Sequence, residues 1–154
     1  MAMIIEEKPV PSSADAPLVV TFKVGRQIYA LPLSAVLQVV RLPALTVVPG
    51  APLGMCGMLN LRGHFIPVLD ARVILGETSA VSMESQVVIL SAGISGHAEA
   101  GLLVDAVDTV RHYPPGSFAG MANGDVIVVG ILCEGAESAV VLDPEALVMR
   151  AGRA

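Results

Sequence analysis

Three histidines, two cysteines and fourteen carboxylates are the side chains of this chain with the widest chemical reach. His64, His97 and His112 stand apart from one another, and none lies at ligand spacing from a second histidine or from Cys56 or Cys133. A zinc-type site needs its donors gathered in short recurring intervals, so no metal is expected. Asp108-Thr109-Val110 follows an apolar run and shares two letters with an aspartic-protease motif. It lacks the glycine and a second copy, and that chemistry needs two carboxylates sharing one proton. Gly93-Ile94-Ser95-Gly96 brings its second glycine one residue too early for a nucleophile elbow, and it joins two strand runs where the elbow joins a strand to a helix. A phosphate loop and a dinucleotide fingerprint are both missing. With no convergent acid, base and nucleophile, no catalytic residue is assigned, no cofactor is expected, and the chain reads as a non-enzyme.

One charged residue is placed for recognition. The stretch Gly57 to Asp70 consists of two apolar runs joined by Asn60-Leu61-Arg62-Gly63. Gly63 can adopt the positive φ of a tight hairpin, which presents Arg62 on a rigid turn with no carboxylate close by in sequence. A guanidinium on such a tip is a good interface anchor, because its stem packs on apolar surface while its planar fork bonds. A plainer role, keeping the hairpin tip soluble, fits the same residue. Val36, Val39 and Val40, near a strand edge, read first as core residues.

The elements that must position these residues are mostly strands. Leu18–Val24 and Gln27–Leu31 form a hairpin turned at Gly25-Arg26, and Pro32–Val36 suits a single helical turn with its proline at the start. Leu37–Leu42 is a strand, followed by a Pro/Gly-rich loop from Pro43 to Gly54 and then the Arg62 hairpin. Asp70 stands as N-cap of a short helix that Gly76 closes. Ser85–Ser91, Ala100–Val104 and Val107–His112 are strands, with a turn at Gly93–His97. A looser segment reaches Gly124, and Val126–Cys133 with Ala139–Leu142 makes a last hairpin. Asp143-Pro144-Glu145 opens a terminal helix, Glu145 to Met149. About ten short strands with brief helices exclude a parallel α/β sheet and point to small barrels.

Composition agrees with a binding role. The chain of 154 residues is 54% hydrophobic and 15% charged, against about 45–50% and 25% in ordinary domains. Such a surplus on a small domain tends to surface as partner patches, although a closed two-barrel core could absorb it. The longest uninterrupted apolar run near the end, Val126 to Cys133, is far shorter than a membrane span, and Met1–Glu7 lacks the features of a secretory signal. Cys56 and Cys133 read as small buried hydrophobes of a reducing compartment. A net charge of −5, with scattered arginines, argues against nucleic acid as a partner.

Asn60-Leu61-Arg62-Gly63 followed by Pro67-Val68-Leu69-Asp70 and Arg72 resembles the signature of the CheW coupling proteins of bacterial chemosensory arrays. The resemblance continues through the Phe22–Tyr29 hairpin, Ala35–Val39, Gly57, Gly101–Asp105 with Val107, and Ala139–Leu147, from about Leu18 to about Val148. It implies an all-β fold with short helices, two SH3-like five-stranded β-barrel subdomains around a shared hydrophobic core. The expected layout is a flexible N-terminal tail (1–17), the CheW-like domain (18–150) and a short C-terminal tail (151–154). It implies a non-enzymatic adaptor that links chemoreceptor (methyl-accepting chemotaxis protein) cytoplasmic tips to the regulatory domain of a CheA-type histidine kinase, cytoplasmic and located at membrane-associated arrays. On the receptor side, Val36, Arg62 and Val110 match contact positions. Gln38 and Val39 fall near the kinase-binding surface, where Gln38 replaces the commoner glutamate and so removes a charge. Gly57 and Gly101 match glycines that let strands approach closely. Other expectations compatible with the residues are a small-ligand barrel using the inter-barrel groove, and a CheW-like adaptor of a pilus or surface-sensing pathway.

Overall fold

The computed structural model describes residues 18–78, 80–91, 100–113, 116–120 and 127–153. The N-terminal tail, His97 with its Gly93–His97 turn and the start of the last hairpin at Val126 lie outside the described residues. Within them the chain forms eleven strands: β1 (Leu18–Val24), β2 (Gln27–Pro32), β3 (Val36–Arg41), β4 (Met55–Leu61), β5 (His64–Asp70), β6 (Gln86–Leu90), β7 (Ala100–Val104), β8 (Ala106–His112), β9 (Phe118–Gly120), β10 (Val128–Glu134) and β11 (Glu137–Leu142). The three-residue β9 falls in the stretch expected to be loose; its pairing with Gly130–Leu132 makes it a strand, a long-range effect with no local pattern to announce it.

Helices are brief. A 3-10 turn, Leu33–Ala35, carries β2 into β3 where Pro32 was expected to start a turn. Helix α1 (Ala71–Leu75) is capped by Asp70, whose side chain accepts from the Arg72 amide, and ends at Gly76 in the left-handed region. Helix α2 (Pro144–Arg153) runs past the expected end at Met149. Residues 146–151, Ala-Leu-Val-Met-Arg-Ala, contain several good helix formers and no stop signal. Its start is as expected, with the Glu145 amide bonded to Asp143 Oδ1 at 3.0 Å.

The strands divide into two sheets. One has the order β8-β1-β2-β11-β10-β9 and the other β3-β6-β7-β5-β4. Each joins two antiparallel hairpins through one short parallel pair, β2 with β11 and β5 with β7. The second barrel is continuous in the chain, whereas the first is assembled from its two ends. Each barrel has its own apolar filling: Val19, Ala30, Leu132 and Ala139 in the first, Leu59, Ile66, Val68, Val87, Ile89 and Leu103 in the second. A larger cluster lies between them and draws on both, with Phe22, Tyr29 and Leu31 from the first barrel packed with Leu69, Val88, Leu90 and Leu102 from the second. Phe22 and Tyr29 stack there at 6.2 Å between ring centroids. Within the second barrel, Gly101 lets β7 pack closely on its neighbours: a Cβ on it would sit 2.6 Å from Val87 Cγ1.

The cysteines depart from the sequence reading. Cys56 is half-buried, but Cys133 is exposed. Strand alternation is the reason: Leu132 points into the first barrel, so its neighbour on β10 points out.

Candidate functional site

The β4–β5 hairpin closes with Leu61 paired to His64 and only Arg62 and Gly63 between them. Both have positive φ, 54° and 88°, the signature of a type I′ turn. Gly63 takes that conformation without strain, but Arg62 carries a Cβ and does not. The turn is braced by Asn60, whose Oδ1 accepts from the Gly63 amide at 2.9 Å. Arg62 is exposed, and its guanidinium has no hydrogen-bond or ion-pair partner among the described residues. Phe65, 61% exposed, pairs with Asn60 across the hairpin. A cation in a strained backbone, on a hairpin that also leaves an aromatic ring uncovered, is an arrangement that the fold itself does not require.

Val36, Gln38 and Val39 lie on β3 and Val110 on β8, each a terminal strand of its sheet. Each strand carries a bulge, at Leu37 on β3 and at Asp108 on β8, where the pairing register shifts. Bulges interrupt an edge that would otherwise template a foreign strand, and they re-aim the side chains beside them. Val36 and Val39 are half-buried against the inter-barrel cluster, so for them the core reading holds in part. Leu37 is pushed outward, 47% exposed, and Gln38 is half-buried beside it. Val110 is 50% exposed and pairs with the buried Val20. On β1, Val20 shares its face with Phe22 and Val24 of the inter-barrel cluster. Val36 and Val110 therefore flank the shared core from opposite barrels.

Arg62 belongs to the far edge of the second sheet, yet it projects from the same end as Val36. Val36 pairs with Leu90, and Leu90 with Ala100, at the end where β7 begins. Strand β5 runs parallel to β7 with Val68 beside Gly101, so the start of β5 and its tip extend beyond that end. Gly57, on β4, has Leu45 Cβ 2.9 Å from where a Cβ would be, and the Thr46–Met58 bridge lays the β3–β4 loop against this strand.

The remaining polar groups are structural. Asp70 is buried and receives Arg72 in a fork, Nε to Oδ1 at 2.9 Å and Nη2 to Oδ2 at 2.7 Å; bonding to Asp70 raises the affinity of the guanidinium for its proton. The Tyr29 hydroxyl donates to Glu77 Oε2 at 2.7 Å, and burial followed by that carboxylate pushes its pKa well above the ordinary tyrosine range. Burial, with the Asp70 charge nearby, likewise pushes the Cys56 thiol up. Asp105 sits at the bend between β7 and β8 and accepts from the Gly25 amide at 2.9 Å. Among the described residues no group of three or more histidine, cysteine or acidic side chains could hold a metal ion.

Two features escaped the sequence reading. Val47 and Leu53 in the β3–β4 loop are 75% and 77% exposed; a Pro/Gly-rich loop announces itself as a loop without saying which of its apolar residues lie uncovered. The other was visible in the letters. From Ala16 to Leu69 the chain contains no aspartate or glutamate, while it carries Lys23, Arg26, Arg41 and Arg62. The candidate tip therefore sits in the one long acid-free stretch of an acidic protein.

Comparison with known proteins places this geometry in context. The model of the CheW-like domain matches residues 18–151. The chemotaxis protein CheW of Rhizobium meliloti is 33% identical over 91 residues, 59% of this chain and 57% of that protein. The protein PilI of Pseudomonas aeruginosa is 30% identical over 101 residues, 64% of this chain and 54% of that protein. The matched stretch thus spans little more than half the length of these relatives. The crystal structure of the scaffolding protein TtCheW from Thermoanaerobacter tengcongensis superposes with a TM-score of 0.73 at 27% identity, covering 82% of this chain and 88% of that one. The shared fold is a pair of SH3-like barrels on a common core.

Proposed function

Because the chain belongs to the CheW-like domain family, we propose that it is a non-enzymatic adaptor coupling the cytoplasmic tips of chemoreceptors to a CheA-type histidine kinase. The observation that carries this reading is Arg62: exposed, without an ion-pair partner among the described residues, and held in a left-handed backbone at the end of the sheet that also presents Val36. The receptor tip docks on the face flanked by Val36 and Val110 and is anchored by Arg62. The kinase regulatory domain meets β3 around Gln38 and Val39, where the neutral amide contributes no ion pair. The protein works in the cytoplasm at receptor arrays; among the described residues no helix is long and apolar enough to cross a membrane. The relatives' names include both CheW and PilI, so the reading is of a coupling role and of no single behavioural output. A small-ligand role gains nothing from the cleft of about 230 Å³ on the first barrel, which mixes Asp108, Arg111 and Glu137 with Thr21, Ile28, Tyr113 and Ser138 and lies away from the inter-barrel face.

Titration calorimetry with a soluble receptor-tip hairpin and, separately, with a CheA-type regulatory domain tests the proposal. Saturable one-to-one binding to each is expected. Absence of binding to both overturns it.

A further inference from the structure

Strand β8 is anchored to both barrels, and its exposed Val110 lies between the anchors. At its start, the Val107 amide donates to Gln86 Oε1 of the second barrel at 2.7 Å. The bulge at Asp108 then breaks the register, with the Thr21 hydroxyl 3.2 Å from the Thr109 carbonyl oxygen and 3.5 Å from Asp108 Oδ2. Beyond the bulge, the strand has β1 on one side and no hydrogen-bonded strand on the other among the described residues. Arg111 ties this segment down from the face of the strand. Its guanidinium reaches across a cleft to Glu134 at the end of β10, lies 3.9 Å from Glu137 at the start of β11, and sits 4.7 Å above the centre of the Tyr113 ring.

Arg111 and Val110 occupy opposite faces of β8. Arg111 pairs with Val19, a residue of the first barrel's interior, while Val110 pairs with Val20 on the inter-barrel side. A roll of the segment after the bulge would therefore move both together. Three partners converge on one planar cation, two carboxylates and an aromatic face, so the side chain is fixed in a way that a single surface ion pair is not.

We propose that Arg111 is a positioning residue for partner capture: by tying the free edge of β8 to the β10–β11 hairpin, it fixes the strand segment that presents Val110. This inference rests on the adaptor reading, in which Val110 lines the receptor side. Arg111 itself need not touch the partner.

The test combines hydrogen exchange with binding to the receptor-tip hairpin, on the full chain. Variants are Arg111→Gln, Glu134→Gln and the reversed pair Arg111→Glu with Glu134→Arg. Each single change is expected to speed amide exchange over residues 109–112 by roughly threefold to tenfold, with affinity for the hairpin falling by a similar factor. The reversed pair restores one ion pair but sets a carboxylate at position 111 beside Glu137 and forfeits the Tyr113 face, so partial recovery of both is expected, which a direct contact between Arg111 and the partner would not allow. Exchange across the β4–β5 hairpin stays unchanged and serves as the internal control; Glu134→Gln, nearly isosteric, keeps the test open if Arg111→Gln does not fold. Unchanged exchange at 109–112, faster exchange with undiminished affinity, or a reversed pair no better than the singles would each overturn the proposal. If the unaltered protein fails to bind the hairpin, the receptor-docking part of the adaptor reading falls and the positioning role with it, even where exchange confirms the strut.

Discussion

Replacing Arg62 with asparagine should make this protein more stable and less useful. Arg62 holds φ 54° at the first central position of a type I′ turn, with Gly63 at the second. A left-handed backbone costs an L-residue with a Cβ about 1–2 kcal/mol. Asparagine tolerates this region better, and Asn-Gly is the preferred pair for such a turn. Arg62 makes no compensating ion pair among the described residues, so nothing is lost inside the fold when it goes. Taking half of the strain as recoverable, Arg62→Asn gains about 0.5–1 kcal/mol. For a chain of this size the melting temperature should rise by about 1–4 °C. Binding of the receptor-tip hairpin should weaken by about 1–3 kcal/mol, the usual cost of truncating an interface anchor. Thermal unfolding followed by circular dichroism gives the first number, and calorimetric titration the second. A melting point that falls would show that the turn is not strained as the dihedrals imply. Unaltered affinity would remove Arg62 from the docking face.

Two further outcomes follow from the core and its edges. Gly101→Ala places a methyl 2.6 Å from Val87 Cγ1 and 3.4 Å from Val68 Cγ2, so urea unfolding should report a loss of about 1–3 kcal/mol from overpacking; a loss under about 0.5 kcal/mol would mean that these valines yield easily. Tyr29→Phe should change the alkaline limb of stability. The folded hydroxyl resists ionisation because it is buried and bonded to Glu77, while the unfolded one ionises near pH 10. The stabilisation is complete below that point and is lost as pH climbs above it, at up to about 1.4 kcal/mol per pH unit for one proton. Denaturation midpoints measured at pH 8, 10 and 11 should fall more steeply for the unaltered protein than for the phenylalanine variant; parallel curves would rule Tyr29 out.

Much of the local structure was readable because it is written in short-range rules. Asp70 and Gly76 bracket α1 as cap residues do, and Asp143 starts α2 in the same way. Alternating apolar residues bounded by glycine and polar turns marked ten of the strands. The Arg62 tip stood out for the same reason, since breakers are conspicuous between two greasy runs. What failed had no local signal. β9 exists only because Gly130–Leu132 offers it a partner. Cys133 is exposed because alternation, counted from the barrel interior, turned it outward. The 61% exposure of Phe65, in an apolar run of the Arg62 hairpin, is likewise set by tertiary packing.

By itself the sequence determined the class of fold: strands too short and too many for an α/β sheet, and a hairpin that displays one arginine. Such features depend on residues a few positions apart, where steric preference and alternation decide. Tertiary structure alone decided that the first barrel closes from both ends of the chain around a second one, that Val36 and Val110 flank a common core, and that Arg111 spans from β8 to Glu134. Those contacts join residues far apart in the chain, and their partners are chosen by packing across the whole molecule, which no window of neighbouring residues encodes.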